Sequence, residues 1–175
     1  MQNSDSNVLI LDASAFYAGI PFLGSSRCYT TNEVFDEVKH IRKSSGALEA
    51  LVNAGNLKIM DPQASHLKEA DQLARSSGDI ASMSRADLSV LALALYCRET
   101  ENEPLIVTDD YAIANTAGLA GIKISFVMNR GIRKIGRWIR YCSACRILYN
   151  SDESVCKICG NKLRAKLKGS IKRTL

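Results

Sequence analysis

Long apolar runs, paired histidines and the common nucleophile or phosphate loops are all missing from this chain of 175 residues. Its first continuous apolar stretch, Val8–Leu11, is far too short for a signal core or a bilayer span, so a soluble cytoplasmic protein that meets no membrane is expected. The two histidines, His40 and His66, do not form an HExxH pair, which removes the usual zinc hydrolases, and each is expected at the surface. No GxSxG elbow and no P-loop occurs, and nothing in the chain calls for an organic cofactor.

Acid is scarce in the last quarter. Residues 130–175 carry 13 Lys and Arg against 2 Asp and Glu, a net of +11, whereas residues 1–129 carry 10 against 16, a net of −6. A body that is acidic and an end that is basic suggest two tasks, holding cations and meeting a polyanion. The alternative is a solvated basic tail with no specific partner.

Cysteine is where the chain is most explicit. Cys142, Cys145, Cys156 and Cys159 form two CxxC pairs ten residues apart. Each pair can turn two thiolates toward one point, and two pairs complete the tetrahedral S₄ shell of structural Zn²⁺. A redox motif would need one pair at the start of a helix, and a disulfide framework is disfavoured in a reducing cytosol. Cys28 and Cys97 have no partners at ligand spacing and are expected as small buried residues.

The remaining pattern alternates strands with helices. Val8–Leu11, Leu57–Met60, Leu105–Val107 and Ile122–Val127 read as strands. Helical stretches follow Asp12 and Thr31 and cover 47–52, 65–74, 86–96 and 111–117. That order predicts an α/β fold, a parallel sheet covered by helices on both faces, over residues 1–128. Residues 129–140 read as a basic linker loosened by Gly131 and Gly136, and 141–175 as a small zinc ribbon ending in a basic tail. Arg130, Arg133, Lys134, Arg137 and Arg140, with Trp138 among them, are candidate RNA contacts. Trp138, Tyr141 and Tyr149 can stack on bases or pack the zinc module.

Acids stand where strands end: Asp12 after the first strand, Asp109 and Asp110 after Leu105–Val107. Ligands of open parallel sheets gather at those ends, and a buried carboxylate is costly without a cation. Helix capping is the competing explanation for each. Glu33 fits a capping box from Thr30, which leaves Glu37, deeper in the helix, as the better metal ligand. Asp87 also has a capping reading, from Ser84. Four such acids would suit Mg²⁺ or Mn²⁺, whose natural work is phosphoryl chemistry.

Leu11-Asp12-Ala-Ser14, Thr31-x-x-Val-x-x-Glu37, Asp87-Leu-Ser and Thr108-Asp-Asp110 together resemble a PIN-domain ribonuclease over residues 7–128. With a four-cysteine ribbon directly behind, the chain resembles the archaeal NOB-type endonucleases of small-subunit ribosome assembly. The resemblance implies a metal-dependent endoribonuclease acting on precursor small-subunit ribosomal RNA, within a pre-ribosomal particle, near the mature 3′ end. It carries the acidic quartet onto Asp12, Glu37, Asp87 and Asp110, with Asp109 as an auxiliary, and Ser14 and Thr108 as supporting hydroxyls. A non-catalytic RNA-binding module with a degenerate pocket is the alternative.

Overall fold

Strand β1 (Asn7–Leu11) holds the centre of a five-stranded, wholly parallel sheet of order β3-β2-β1-β4-β5. The computed structural model describes residues 7–23, 27–39, 45–100, 103–128, 131, 134–149 and 153–172. The other strands are β2 (Arg27–Thr30), β3 (Leu57–Ile59), β4 (Glu103–Val107) and β5 (Lys123–Ser125). Helices α1 (Ala13–Tyr17), α2 (Asn32–Val38), α3 (Ser45–Asn53), α4 (Ala64–Ser77), α5 (Arg85–Thr100) and α6 (Tyr111–Leu119) connect them.

Val8, Ile10 and Leu11 are fully buried because β1 has neighbours on both edges and helices over it. Helix α5 is apolar on nearly every side, with Val90 to Leu95 all at 1% exposure or less, as a helix inside a core must be. The strand order reverses between β1 and β4, which start connections to opposite sides of the sheet. Such a switch point opens a crevice at the strands' carboxyl ends.

Several expectations are corrected. Strand β2 went unread, since Cys28-Tyr29-Thr30 is short and passes directly into the cap of α2. The cap is Thr31, whose hydroxyl accepts from the Val34 N–H at 3.3 Å, so Thr30 and Glu33 form no capping box. Thr30 instead donates to the Leu11 carbonyl at 3.0 Å, locking the ends of β2 and β1 together. His66 is buried, not superficial: His66, Ala70 and Ala74 follow at helical spacing along the inner side of α4. Its Nε2 lies 3.0 Å from Glu99, and its ring meets Tyr96 edge-on at 5.5 Å. His40 lies outside the described residues.

The second sheet is antiparallel, in the order β7-β6-β8. Its strands are β6 (Lys134–Tyr141), β7 (Leu148–Tyr149) and β8 (Arg164–Lys172). Most of the stretch expected as a linker is therefore strand, with Gly136 buried inside it. The basic tail is likewise β8, paired along the length of β6. Charge hid both strands: in β8 Arg164, Lys166 and Lys168 alternate with Ala165 and Leu167, while in β6 Lys134, Arg137 and Arg140 recur every third residue, which breaks the period of two, and both read as a solvated tail. A register shift between Ile135 and Arg137 coincides with Gly169 at φ +65°, the left-handed backbone that glycine supplies in one common kind of bulge.

Candidate active site and thiolate shell

Register brings the first acid to its partners. Leu11 pairs with Val107, so Asp12 follows β1 beside Thr108, and the Asp12 N–H donates to the Val107 carbonyl at 3.2 Å. The Asp12 side chain makes no capping bond to α1, which removes the competing explanation for it. Thr108 donates to Asp12 Oδ2 at 2.7 Å and Ser14 donates to the same oxygen at 3.1 Å. Each hydroxyl also accepts from the loop after β4: Ser14 from the Asp109 N–H at 3.0 Å, Thr108 from the Asp110 N–H at 3.0 Å. Asp12 is only 6% exposed, and burial raises its pKa above the ordinary 3.8 despite these hydrogen bonds, with the Asp87 charge adding to the rise.

Glu37 and Asp87 share this neighbourhood. Glu37 stands at the exposed rim, and its pKa is raised first by partial desolvation, then by the charges of Asp87 and Asp12. Helices α2 and α5, which carry them, are tied by the Thr31 and Ser89 hydroxyls, 2.7 Å apart and both buried. Asp87 does cap its helix, in a reciprocal box: the Ser84 N–H donates to Asp87 Oδ2 at 2.7 Å and the Asp87 N–H to Ser84 Oγ at 3.2 Å.

Asp110 and Asp109 have separate duties. Asp110 caps α6 through Oδ1, accepting from Ala112 and Ile113 at 2.6 and 3.1 Å, and is joined to Asp12 through Thr108. Asp109 accepts from the N–H groups of Val127 at 3.0 Å and Met128 at 2.9 Å, holding the chain after β5. The structure thus groups Asp12, Glu37 and Asp87, sets Asp110 beside them, and turns Asp109 to a backbone role. Among the described residues none of Asp12, Glu37, Asp87 and Asp110 pairs with a Lys or Arg. A cluster in which the Asp87 charge raises the pKa of Asp12, and the Asp87 and Asp12 charges raise that of Glu37, without a counter-charge, fits a divalent cation held by oxygen ligands.

The four ribbon sulfurs all lie within 4.8 Å of one another, a donor set that fits one soft cation such as Zn²⁺. Among the described residues this is the only group of three or more metal-ligating side chains so close, and the acidic group is more open. Two equivalent turns build the shell. The Arg146 N–H donates to the Cys142 carbonyl and the Gly160 N–H to the Cys156 carbonyl, each at 2.9 Å. Both residues sit at positive φ, +58° for Arg146 and +70° for Gly160. Leu163 and Tyr149 pack against the cysteines, and the Tyr149 hydroxyl lies 3.2 Å from Cys156 Sγ. That hydroxyl is the main cause lowering Cys156 to about 6, whereas the hydrogen bond with Cys159 is the main cause pushing Cys145 up to about 12, so the four thiols compete for protons at one point. Tyr149 is thereby occupied in the module's core rather than offered to a base.

The expected basic contacts are divided. Arg130 and Arg133 lie outside the described residues. Arg137 opposes Lys168, and Tyr141 opposes Arg164, on one face of the β6–β8 pair, with Lys166 Nζ 5.1 Å above the Tyr141 ring. Trp138 and Arg140 take the alternate face opposite Leu167 and Ala165, where they line a cleft of about 240 Å³ with Gly78, Asp79 and Ser82. Lys134 is exposed at the start of the strand. Sequence reasoning missed Asp79 and Asn115, which are buried polar residues facing β6; a Gly-Asp step after a helix looks like a plain stop signal.

Comparison with known proteins identifies the family of the chain. A family model described as the PIN domain of ribonuclease matches residues 9–96. The protein named Endoribonuclease Nob1 from Methanothermobacter thermautotrophicus is 36% identical over 156 residues, covering 88% of this chain and 90% of that protein. Its namesake from Pyrococcus abyssi is 34% identical over 89% of this chain and 91% of its own length. The namesake from Methanocaldococcus jannaschii is 33% identical over 91% and 78%. No described helix is long and apolar enough to cross a membrane.

Proposed function

Because the chain belongs to the Nob1 family of PIN-domain ribonucleases, we propose that it is an endoribonuclease whose cleavage centre is the crevice between β1 and β4. Asp12, Glu37, Asp87 and Asp110 are the groups proposed to hold one or two Mg²⁺ or Mn²⁺ ions, and Cys142, Cys145, Cys156 and Cys159 to hold Zn²⁺. Bound there, the divalent ions would neutralise phosphate and favour attack of water in line with the leaving oxygen.

The chain's own residues supply orientation. Ser14 and Thr108 fix one oxygen of Asp12, and the paired caps hold Asp87 and Asp110 at the starts of α5 and α6. Arg137, Arg164, Lys166 and Lys168, on one face, would neutralise RNA phosphates, with Tyr141 as an aromatic surface among them. The substrate proposed is precursor small-subunit ribosomal RNA, cut near its mature 3′ end in a pre-ribosomal particle. The order of acidic motifs followed at once by the ribbon supports this, as do relatives matched over nearly their whole length.

The observation that carries the reading is a buried carboxylate, Asp12, at the switch point of a parallel sheet, unused as a cap and set beside further acids without a cation. Its test is cleavage of single-stranded RNA with Mn²⁺ by wild type and Asp12→Asn. Activity confined to wild type supports the nuclease; equal inertness of both, with RNA binding retained, would leave only a binding module.

A further inference from the structure

Asn115 and Asp79 lie outside the acidic centre, and both are buried, at 4% and 6% exposure. The Asn115 amide uses all of its polar atoms at once. Its Nδ2 donates to Asp79 Oδ2 at 2.6 Å and to the Gly136 carbonyl at 2.8 Å, and its Oδ1 accepts from the Gly136 N–H at 2.9 Å. Among the described residues, Gly136 lies at the register shift of β6 with no partner in β8, and β7 meets β6 only at Arg140 and Tyr141. The amide therefore stands where a neighbouring strand would stand. Asp79 Oδ2 accepts from the Thr116 hydroxyl as well, so it takes the NH₂ end of the amide and selects the orientation that pairs with Gly136. Thr116 donates to the same Asp79 Oδ2 and the Asp79 N–H donates to Ser77 Oγ, each at 3.3 Å.

Two glycines make the approach close. A Cβ on Gly78 would fall 2.3 Å from the Trp138 carbonyl oxygen, and one on Gly118 would fall 2.5 Å from Ile135 Cδ1. Contacts at 135, 136 and 138 thus seat β6 on the C-terminal end of α4 and on α6. Apolar packing alone would tolerate a slip. A bidentate amide does not, because moving β6 by one residue breaks both Gly136 bonds and turns every side chain to the other face.

The clamp residues also sit on the segments that carry two of the acids. Asn115 lies five residues after Asp110 in the same helix, roughly 1.5 Å of rise for each. Asp79 begins the turn that leads through Ile80–Ser82 to the Ser84 and Asp87 cap. Arg137 directly follows Gly136, on the face shared with Lys168, Lys166 and Arg164.

We propose that Asp79 and Asn115 are positioning residues that hold the basic face of the thiolate module at a fixed distance from the acidic crevice. The phosphodiester that is cut is then set by where that face grips the RNA. The proposal rests on the endoribonuclease reading for its cutting step but not for the clamp itself.

Two variants test it on the full, zinc-loaded chain. Asn115→Leu keeps volume and removes every clamp bond. Gly118→Leu keeps a helical backbone position and drives a side chain against Ile135. Trp138 is the chain's one tryptophan and sits beside the clamp, so its fluorescence anisotropy decay reports whether the module tumbles with the body. Both variants are expected to show a new, faster decay while keeping bound zinc and a cooperative melt; wild-type decay in both would overturn the clamp. Cut positions are then mapped on an end-labelled RNA hairpin with a long single-stranded 3′ extension. Wild type is expected to cut within one or two neighbouring bonds and the variants to scatter over many, with rates on a short unstructured oligonucleotide within twofold of each other. An unchanged cut pattern in the variants overturns the positioning role. A wild type inert on both RNAs with Mn²⁺ overturns the endoribonuclease reading instead, and the anisotropy result still decides the clamp.

Discussion

Thr108 donates its hydroxyl proton to Asp12 at 2.7 Å and has only one to give, so its lone pair is left to accept from the Asp110 N–H at 3.0 Å. One buried side chain thereby sets the distance between an acid at the end of β1 and an acid at the start of α6. Ser14 repeats the device on the other side, between Asp12 and Asp109.

Thr108→Val keeps the shape and removes both bonds. Groups that orient metal-ligating carboxylates commonly contribute ~10–100-fold to metal affinity or activity. The expected outcome is a loss of that size in kcat/KM, partly recovered at high Mn²⁺. A metal titration of initial rates checks it, and full activity at low Mn²⁺ would remove Thr108 from the site.

Asp12→Asn should stabilise the metal-free protein as it abolishes cleavage. The folded-state pKa of Asp12 lies above its unfolded value, so its contribution is present at low pH and is lost as pH rises through the folded pKa. Thermal melts in chelator should show the variant above wild type at neutral pH. The gap should close as pH falls toward 3.8, the ordinary carboxylate value. Excess Mn²⁺ should raise the melting temperature of wild type alone.

Arg146 holds the left-handed position that Gly160 occupies in the companion turn. Arg146→Gly removes a Cβ clash worth about 1 kcal/mol, part of which the freer unfolded chain takes back. The ribbon should surrender zinc to a chelator at a higher chelator concentration than wild type. An unchanged or lowered midpoint would mean the arginine side chain contributes more than its backbone costs.

Replacing Arg137, Lys166 and Lys168 together by Ala removes three cations from one face. Single-stranded RNA binding then loses ~0.7 from its log–log salt slope for each phosphate contact removed. Arg140→Ala, on the alternate face, should leave the slope nearly unchanged. Equal effects from the two changes would show that the faces do not act separately.

Much of the nuclease half was legible, because each element there carries its own signal. Val8–Leu11 is a buried strand on composition alone, and the Leu and Ala content of α5 identifies the central helix. The two CxxC pairs announce their shell because thiolate ligation depends on local spacing. The ribbon strands were not legible. In β6 and β8 the partner's pairing, not intrinsic apolarity, makes the strand, and Arg and Lys at every second residue of β8 and every third of β6 resemble a disordered tail.

The local chain determines the acids, thiols and strand-forming runs of this protein, since each depends on residues within a few positions of one another. Only the tertiary structure decides which acid is a cap and which stands unused, because Asp12, Asp87 and Asp110 look alike in sequence and differ in what folds against them. It also decides that Asn115 replaces a strand beside Gly136, a contact between residues 21 apart that exists only once α6 and β6 meet.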